Sequence, residues 1–178
     1  MTMPKRLATR TVFKSRMYSI KEIDLLFESG KTATFEIIEK PDSVGVVPVT
    51  KSGSILLVRE YVAATDEFVV DFPGGRVGEG LSIEDTAQKE LQEELGYKAL
   101  RLDKLITYTL SPGYLTQKSN VFIGRDLVKS KLEGDEMVPL EVEEYGLEEL
   151  IKMIKTGQIT EARTIATIFL AKDFLTKT

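Results

Sequence analysis

Three glutamates, Glu90, Glu93 and Glu94, stand at i, i+3 and i+4 in a stretch whose Ala87, Leu91 and Leu95 keep helical spacing. Residues three and four apart on a helix are neighbours, so the carboxylates share one face and Leu91 and Leu95 take the other. Like charges at that spacing repel by about 0.2–0.5 kcal/mol per pair. A divalent cation among them would turn that repulsion into attraction. Glutamate-rich helix faces are more often simply solvated, so the helix alone leaves both readings open. The rest of the chain narrows the chemistry. Its 178 residues include no His and no Cys. That removes Ser-His-Asp triads, thiol nucleophiles, histidine bases, disulfides and zinc sites built from those residues. Carboxylates, Lys, Arg, Tyr and hydroxyls remain, and any metal must take oxygen ligands. Such ligands favour magnesium, manganese or calcium.

The elements that must position these residues are legible in part. Ser82, followed by Glu84 and Asp85, reads as a helix N-cap with an acid at the third position, and Gly96 stands where a C′ glycine ends a helix. A short strand over Phe68–Phe72 runs into Pro73-Gly74-Gly75. Glycine lets the backbone approach a phosphate or a metal closely, although Pro-Gly-Gly is also a plain turn. Residues 11–28 and 31–40 read as a hairpin turning at Ser29-Gly30-Lys31, with Ile23, Leu25 and Phe27 alternating on one arm and Phe35 and Ile37 on the other. An isolated hairpin is marginal in water, so its apolar face must pack on the core or on a second subunit. Val44–Thr50 and Ser54–Tyr61 read as a second hairpin, turning at Lys51-Ser52-Gly53. Strands follow at Leu100–Leu110 and Ser119–Asp126. Two amphipathic helices carry Leu147, Leu150, Ile151 and Ile154, then Ala162, Ile165, Ala166, Phe169 and Leu170. This order predicts an α/β fold, a mixed β-sheet sandwiched between helices with an antiparallel N-terminal hairpin or sheet.

Length and composition set the outer bounds. The chain is one domain's worth with room for a small appendage. Hydrophobic residues at 42% and charged residues at 29% exclude disorder. A net charge of −4 points to neither nucleic acid nor membrane as a partner. No apolar run approaches the roughly 18 residues of a membrane span, and no apolar region follows the basic start. A cytoplasmic location is expected.

Together the glycines and glutamates resemble the Nudix hydrolases. Their box reads Gly, five residues, Glu, seven residues, Arg-Glu, an aliphatic, any residue, Glu-Glu, any residue, Gly, then an aliphatic or aromatic. Gly75, Glu90, Leu91, Glu93, Glu94, Gly96 and Tyr97 fall at matching positions. Leu81 stands where the box has its first Glu, with Glu79 nearby, and Lys89 where it has Arg. In the family that Arg holds a catalytic Glu through a forked salt bridge, which a Lys point charge cannot reproduce. A nucleotide-binding module without catalysis is therefore the alternative to an enzyme.

Flanking segments look like particular subgroups. Ile55–Tyr61, with Arg59 and Glu60, resembles the substrate-binding segment of ADP-ribose pyrophosphatases, although Val62 replaces a second Arg common there. Phe72-Pro73-Gly74-Gly75 is similar to that subgroup's approach to the box. Pro112, sixteen residues past Gly96, sits within Ser111-Pro112-Gly113-Tyr114 and matches a proline that marks the same subgroup. Pro-Gly also suits an ordinary type II turn. Leu132-Glu133-Gly134-Asp135-Glu136 and Glu161-Ala162-Arg163 resemble the bacterial ADP compounds hydrolases. The likeness runs from about Tyr18 to Leu175.

The resemblance implies a Nudix fold with a dimerising N-terminal region, 1–40, ahead of a catalytic domain, 41–178. It implies hydrolysis of the diphosphate bond in ADP-ribose or a related nucleoside diphosphate sugar. Other ADP-containing dinucleotides, such as NADH or diadenosine polyphosphates, are the alternative substrates. Magnesium, or manganese in its place, would be held by Glu90, Glu93, Glu94 and the Gly74 carbonyl. Glu93 shares in catalysis, and Glu136 is the base, with Glu133 and Asp135 as alternatives. Arg59, Glu60, Gly75, Ser111, Pro112, Gly113 and Tyr114 would contact the substrate.

Overall fold

The segment 11–28, expected as one arm of a hairpin, contains a turn of its own. The Ser15 hydroxyl accepts hydrogen bonds from the backbone N–H of Met17 (3.2 Å) and Tyr18 (3.1 Å). Such a local serine turn substitutes for ladder hydrogen bonds and reverses the chain. In this computed structural model, which describes residues 2–134 and 140–177, the result is three antiparallel strands. They are β1 (Lys5–Lys14), β2 (Ser19–Leu26) and β3 (Thr32–Glu39), in the order β1-β2-β3. The second turn falls where expected, with Gly30 at φ 78°.

The chain divides into two compact units, Met1–Asp42 with Tyr108–Lys118, and Ser43–Thr107 with Ser119–Thr178. The boundary expected between residues 40 and 41 is therefore incomplete, because Tyr108–Lys118 joins the N-terminal strands. The reason is the open edge of β3, whose backbone groups need partners. Ile38 N–H donates to Tyr114 O (2.6 Å), and Thr116 N–H donates to Ile38 O (3.0 Å).

In the second unit the turn at Lys51-Ser52-Gly53 closes, with Thr50 N–H donating to Ser54 O at 2.9 Å. The flanking strands nevertheless part after a single bridge, Val49 to Ile55. β4 (Ser43–Pro48) pairs in parallel with β8 (Lys118–Lys129), and β7 (Tyr97–Thr109) lies on the far side of β8. β5 (Ile55–Val62) pairs antiparallel with β6 (Glu67–Asp71) and β9 (Glu141–Tyr145). The expected hairpin of β4 with β5 is therefore corrected. Val46 and Val47 in β4 and Leu57 and Val58 in β5 are buried, so both faces of these strands need cover, and each strand belongs to a different sheet.

Helix α1 (Ile83–Leu95) begins and ends as the sequence indicates. Ser82 Oγ accepts from Asp85 N–H at 3.0 Å, and Gly96 closes the helix at φ 75°. Its Ala87, Leu91 and Leu95 pack with Val44, Val46, Leu56, Val58, Ala99 and Phe122 in one core cluster. Helices α2 (Leu147–Lys155) and α3 (Ala162–Lys177) bury Leu150, Ile151, Ile168 and Ala171. The fold is α/β with parallel and antiparallel pairing. Among the described residues no helix is long and apolar enough to cross a membrane.

Leu91 is fully buried on the face of α1 that holds the glutamates in place. Leu91→Ala is expected to cost about 2–5 kcal/mol, read as a lower urea midpoint.

Candidate active site

With its aliphatic stripe in the core, α1 turns Glu90 and Glu94 toward the glycine turn that follows β6. That turn is pinned beside β4: Val46 N–H donates to Pro73 O and Val44 N–H to Gly75 O, both at 2.9 Å. The Gly74 N–H between them faces α1 and donates to Glu94 Oε1 at 3.4 Å. A Cβ on Gly74 would run into Val44 O and stand 2.9 Å from Gly45 Cα. Both obstacles are backbone and cannot yield. A Cβ on Gly75 would instead overlap the carboxylate of Glu90. The two glycines are thus needed for different reasons, one for the approach to β4 and the other for the approach of Glu90.

Glu93 behaves differently from its two neighbours. It is only 9% exposed, and its carboxylate is ion-paired with Lys89. Lys89, at the arginine position of the box, thereby grips a glutamate one turn on as a point charge. Leu81 caps a local turn, with its N–H donating to Gly78 O at 3.2 Å and its side chain packed against Gly78.

Among the described residues no three acidic side chains stand together as a ready-made metal cage. Magnesium does not require one, since it keeps several waters and usually takes one or two carboxylates plus substrate phosphates. Glu90 and Glu94 converging on Gly74 and Gly75 supply such an oxygen-only donor set. The missing Gly75 side chain leaves the space that Glu90 uses. The residues present fit a hard divalent cation.

Residues 130–132, just after β8, are strapped to the C-terminal end of α1. Ser130 N–H donates to Gly96 O (2.9 Å), Leu132 N–H to Gln92 O (3.2 Å), Gln92 Nε2 to Ser130 Oγ (2.7 Å), and Lys131 Nζ to Glu93 O. Glu133 follows directly. Asp135 and Glu136 lie outside the described residues.

Arg59 is held elsewhere. Its Nε donates to Glu143 Oε1 (2.7 Å) and its Nη2 to Oε2 (3.2 Å), a forked pair that Tyr145 OH joins. The hydrogen bond it donates to Glu143 raises the guanidinium further above its ordinary value. Burial pushes the Glu143 carboxyl up, but the bonds from Arg59 and Tyr145 outweigh it and hold it below the ordinary range. Leu56 and Val58 of the same strand belong to the α1 core, so strand alternation turns Arg59 to the opposite face. There it lines a cleft of about 380 Å³ with Phe68, Val70, Tyr145 and Met153. By the same alternation Glu60 shares the side of Val58. Glu90, Glu94, Gly74 and Gly75 therefore come together, and Arg59 is not among them.

Ser111, Pro112, Gly113 and Tyr114 belong to the first unit. Tyr114 and Leu115 N–H both donate to Ser111 O, at 3.1 and 2.8 Å. Gly113 has no positive φ, so the turn is not the type II form that Pro-Gly suits. Glu143 and Tyr145 escaped sequence reading because Glu-Val-Glu-Glu-Tyr looks like a solvated charge run. The signal was Val142 and Tyr145 set among the acids.

Residues 39–167 match the NUDIX domain. The chain belongs to the Nudix family. It is 30% identical over 174 residues to ADP compounds hydrolase NudE of Escherichia coli (strain K12), covering 97% of this chain and 93% of that protein. It is 34% identical over 167 residues to an ADP-ribose pyrophosphatase of Bacillus subtilis (strain 168), covering 90% of each. A crystal structure of an ADP compounds hydrolase superposes with a TM-score of 0.90 at 29% identity, covering 99% of this chain and 96% of that one.

Two predictions follow from this geometry. Gly75→Ala displaces the Glu90 side chain while the backbone keeps its place; manganese affinity should fall about tenfold with the melting temperature held, read by calorimetry. The Glu143 pair contributes stability above that group's unfolded pKa and loses it as pH falls through the depressed folded one. Glu143→Gln is expected to flatten the acid side of the stability profile, followed by urea unfolding from about pH 3 to 7.

Proposed function

We propose that this Nudix pyrophosphatase hydrolyses the diphosphate bond of ADP-ribose or a related nucleoside diphosphate sugar, with magnesium or, in its place, manganese. The observation that carries this reading is the convergence of Glu90 and Glu94 on Gly74 and Gly75. Relatives named for ADP-ribose and ADP compounds support the substrate class. A bound divalent cation would offset charge on the diphosphate and make water a better nucleophile. Glu90 and Glu94 would hold it, with the Gly74 carbonyl, while Glu93 stays paired to Lys89 and steadies the helix.

Water attacks one phosphorus in line, the bridging P–O bond breaks, and the proton of the water passes to a carboxylate. Glu136 is assigned as that base, with Glu133 and Asp135 as alternatives. The strap joining Ser130–Leu132 to α1 supports this assignment, because it starts the acidic segment at the helix that bears the metal ligands. From ADP-ribose the products are AMP and ribose 5-phosphate. Arg59 would contact a substrate phosphate, as the resemblance implies, beside its pair with Glu143 or in exchange for it. Glu60, Gly75 and Ser111–Tyr114 remain assigned to substrate binding by resemblance.

The reading includes a homodimer in the cytoplasm, where such nucleotides are made and used. β1 is exposed along its length, with Leu7, Val12 and Phe13 in the open. An unpaired strand edge with apolar side chains favours pairing with a second copy. Sedimentation equilibrium tests this, and a monomer at micromolar concentration would remove it.

Leu81 and Lys89 favour a second reading, nucleotide binding without cleavage. A panel of ADP-ribose, GDP-mannose, NADH and diadenosine triphosphate, with magnesium or EDTA, separates the two. Magnesium-dependent AMP release from ADP-ribose is expected. Glu94→Gln and Glu136→Gln should each slow it at least about a hundredfold. Binding with no release from any of the panel would favour the second reading.

A further inference from the structure

Asp71, the last residue of β6, stands three residues ahead of Gly74, and its carboxylate is tied to α3. Thr164 Oγ1 donates to Asp71 Oδ1, the same oxygen that accepts Phe72 N–H at 2.7 Å. Arg163 Nη2 lies 3.7 Å from Asp71 Oδ2. Thr164 is fully buried. It is held in turn by Glu161, whose carboxylate accepts Thr164 N–H at 2.8 Å and Arg163 Nε at 2.7 Å. The start of α3 is thus a rigid, hydrogen-bonded block, and Asp71 fastens the entry of the glycine turn to it.

On its other side the same turn is fastened to β4 through the carbonyls of Pro73 and Gly75. Between these two fastenings Gly74 meets Glu94 and Gly75 meets Glu90. The Asp71–Thr164 fastening can act on the carboxylates of α1 by placing the turn.

The geometry points to Asp71 and Thr164 as positioning residues, which set the Phe72–Gly75 turn so that Glu90 and Glu94 meet a divalent cation together. This rests on the metal-site reading above. A site loses affinity when the groups that orient its ligands are removed, by 10-fold or more in known metalloproteins. Burial pushes the Asp71 carboxyl up, against the hydrogen bond from Thr164 and the charge of Arg163. The carboxyl therefore depends on those partners to accept hydrogen bonds as it does.

The test is manganese binding to the full chain, without substrate, by titration calorimetry. Thr164→Val removes the hydroxyl and is expected to weaken manganese binding about tenfold with little change in melting temperature. Thr164→Ser, which restores the hydroxyl, should bind as the parent does. Asp71→Asn keeps the shape with a weaker acceptor and serves if Thr164→Val does not fold; it should lose affinity in the same direction. Parent-like binding by a folded Thr164→Val, with binding lost in Glu94→Gln, overturns the positioning role and leaves the metal site standing. Parent-like binding by Glu94→Gln overturns the metal site itself, and the positioning role with it.

Discussion

The close approach of Gly74 to the β4 backbone is the constraint on which the site depends. No side chain fits between Gly74 and the Val44 carbonyl, so the turn lies flat against β4 and offers its other edge to α1. From that position one backbone N–H reaches Glu94 and one bare Cα faces Glu90. The helix is fixed independently, by Ala87, Leu91 and Leu95 against the same strand's Val44 and Val46. A single strand therefore references both halves of the site. This is economical because a core packed at near-crystalline density transmits little slack between its neighbours.

Electrostatics then differentiates three glutamates that look alike. Glu93 is taken out of water and neutralised by Lys89. Glu94 accepts a backbone N–H from Gly74, and the carboxylate of Glu90 occupies the space a Gly75 side chain would fill. The pairing of Glu93 with Lys89 reduces repulsion within the trio. The lysine at a position where the family has arginine changes the geometry of that compensation, from a fork to a point. Arginine forks do occur in the chain, at Arg59 with Glu143, where the pair ties β5 to β9 on the face away from α1.

Two further contacts bridge long stretches of sequence to this region. Gln92 with Ser130 and Leu132 brings the chain just after β8 to the end of α1. Asp71 with Thr164 brings the start of α3 to the entry of the glycine turn. Each uses a small hydroxyl near the end of an element, Ser130 after β8 and Thr164 at the start of α3.

What the sequence determined by itself was local. Helix α1, its Ser82 cap and its Gly96 terminus were legible because capping and 3.6-residue periodicity act within a few residues. The box residues were legible through their resemblance to the Nudix pattern, whose spacing lies along one turn and one helix. Partnership between strands was not. Val44–Thr50 and Ser54–Tyr61 have the pattern and turn of a hairpin, yet they separate, because burial on both faces is a property of layers and not of a segment. The turn at Ser15, the strand Glu141–Tyr145 and the transfer of Tyr108–Lys118 to the first unit were hidden likewise. The last two depend on which edge lacks hydrogen-bond partners. Only the tertiary structure decided that Glu93 is buried against Lys89 and that Arg59 turns away from α1. A side chain's face and charge partner follow from what packs on either side of its element.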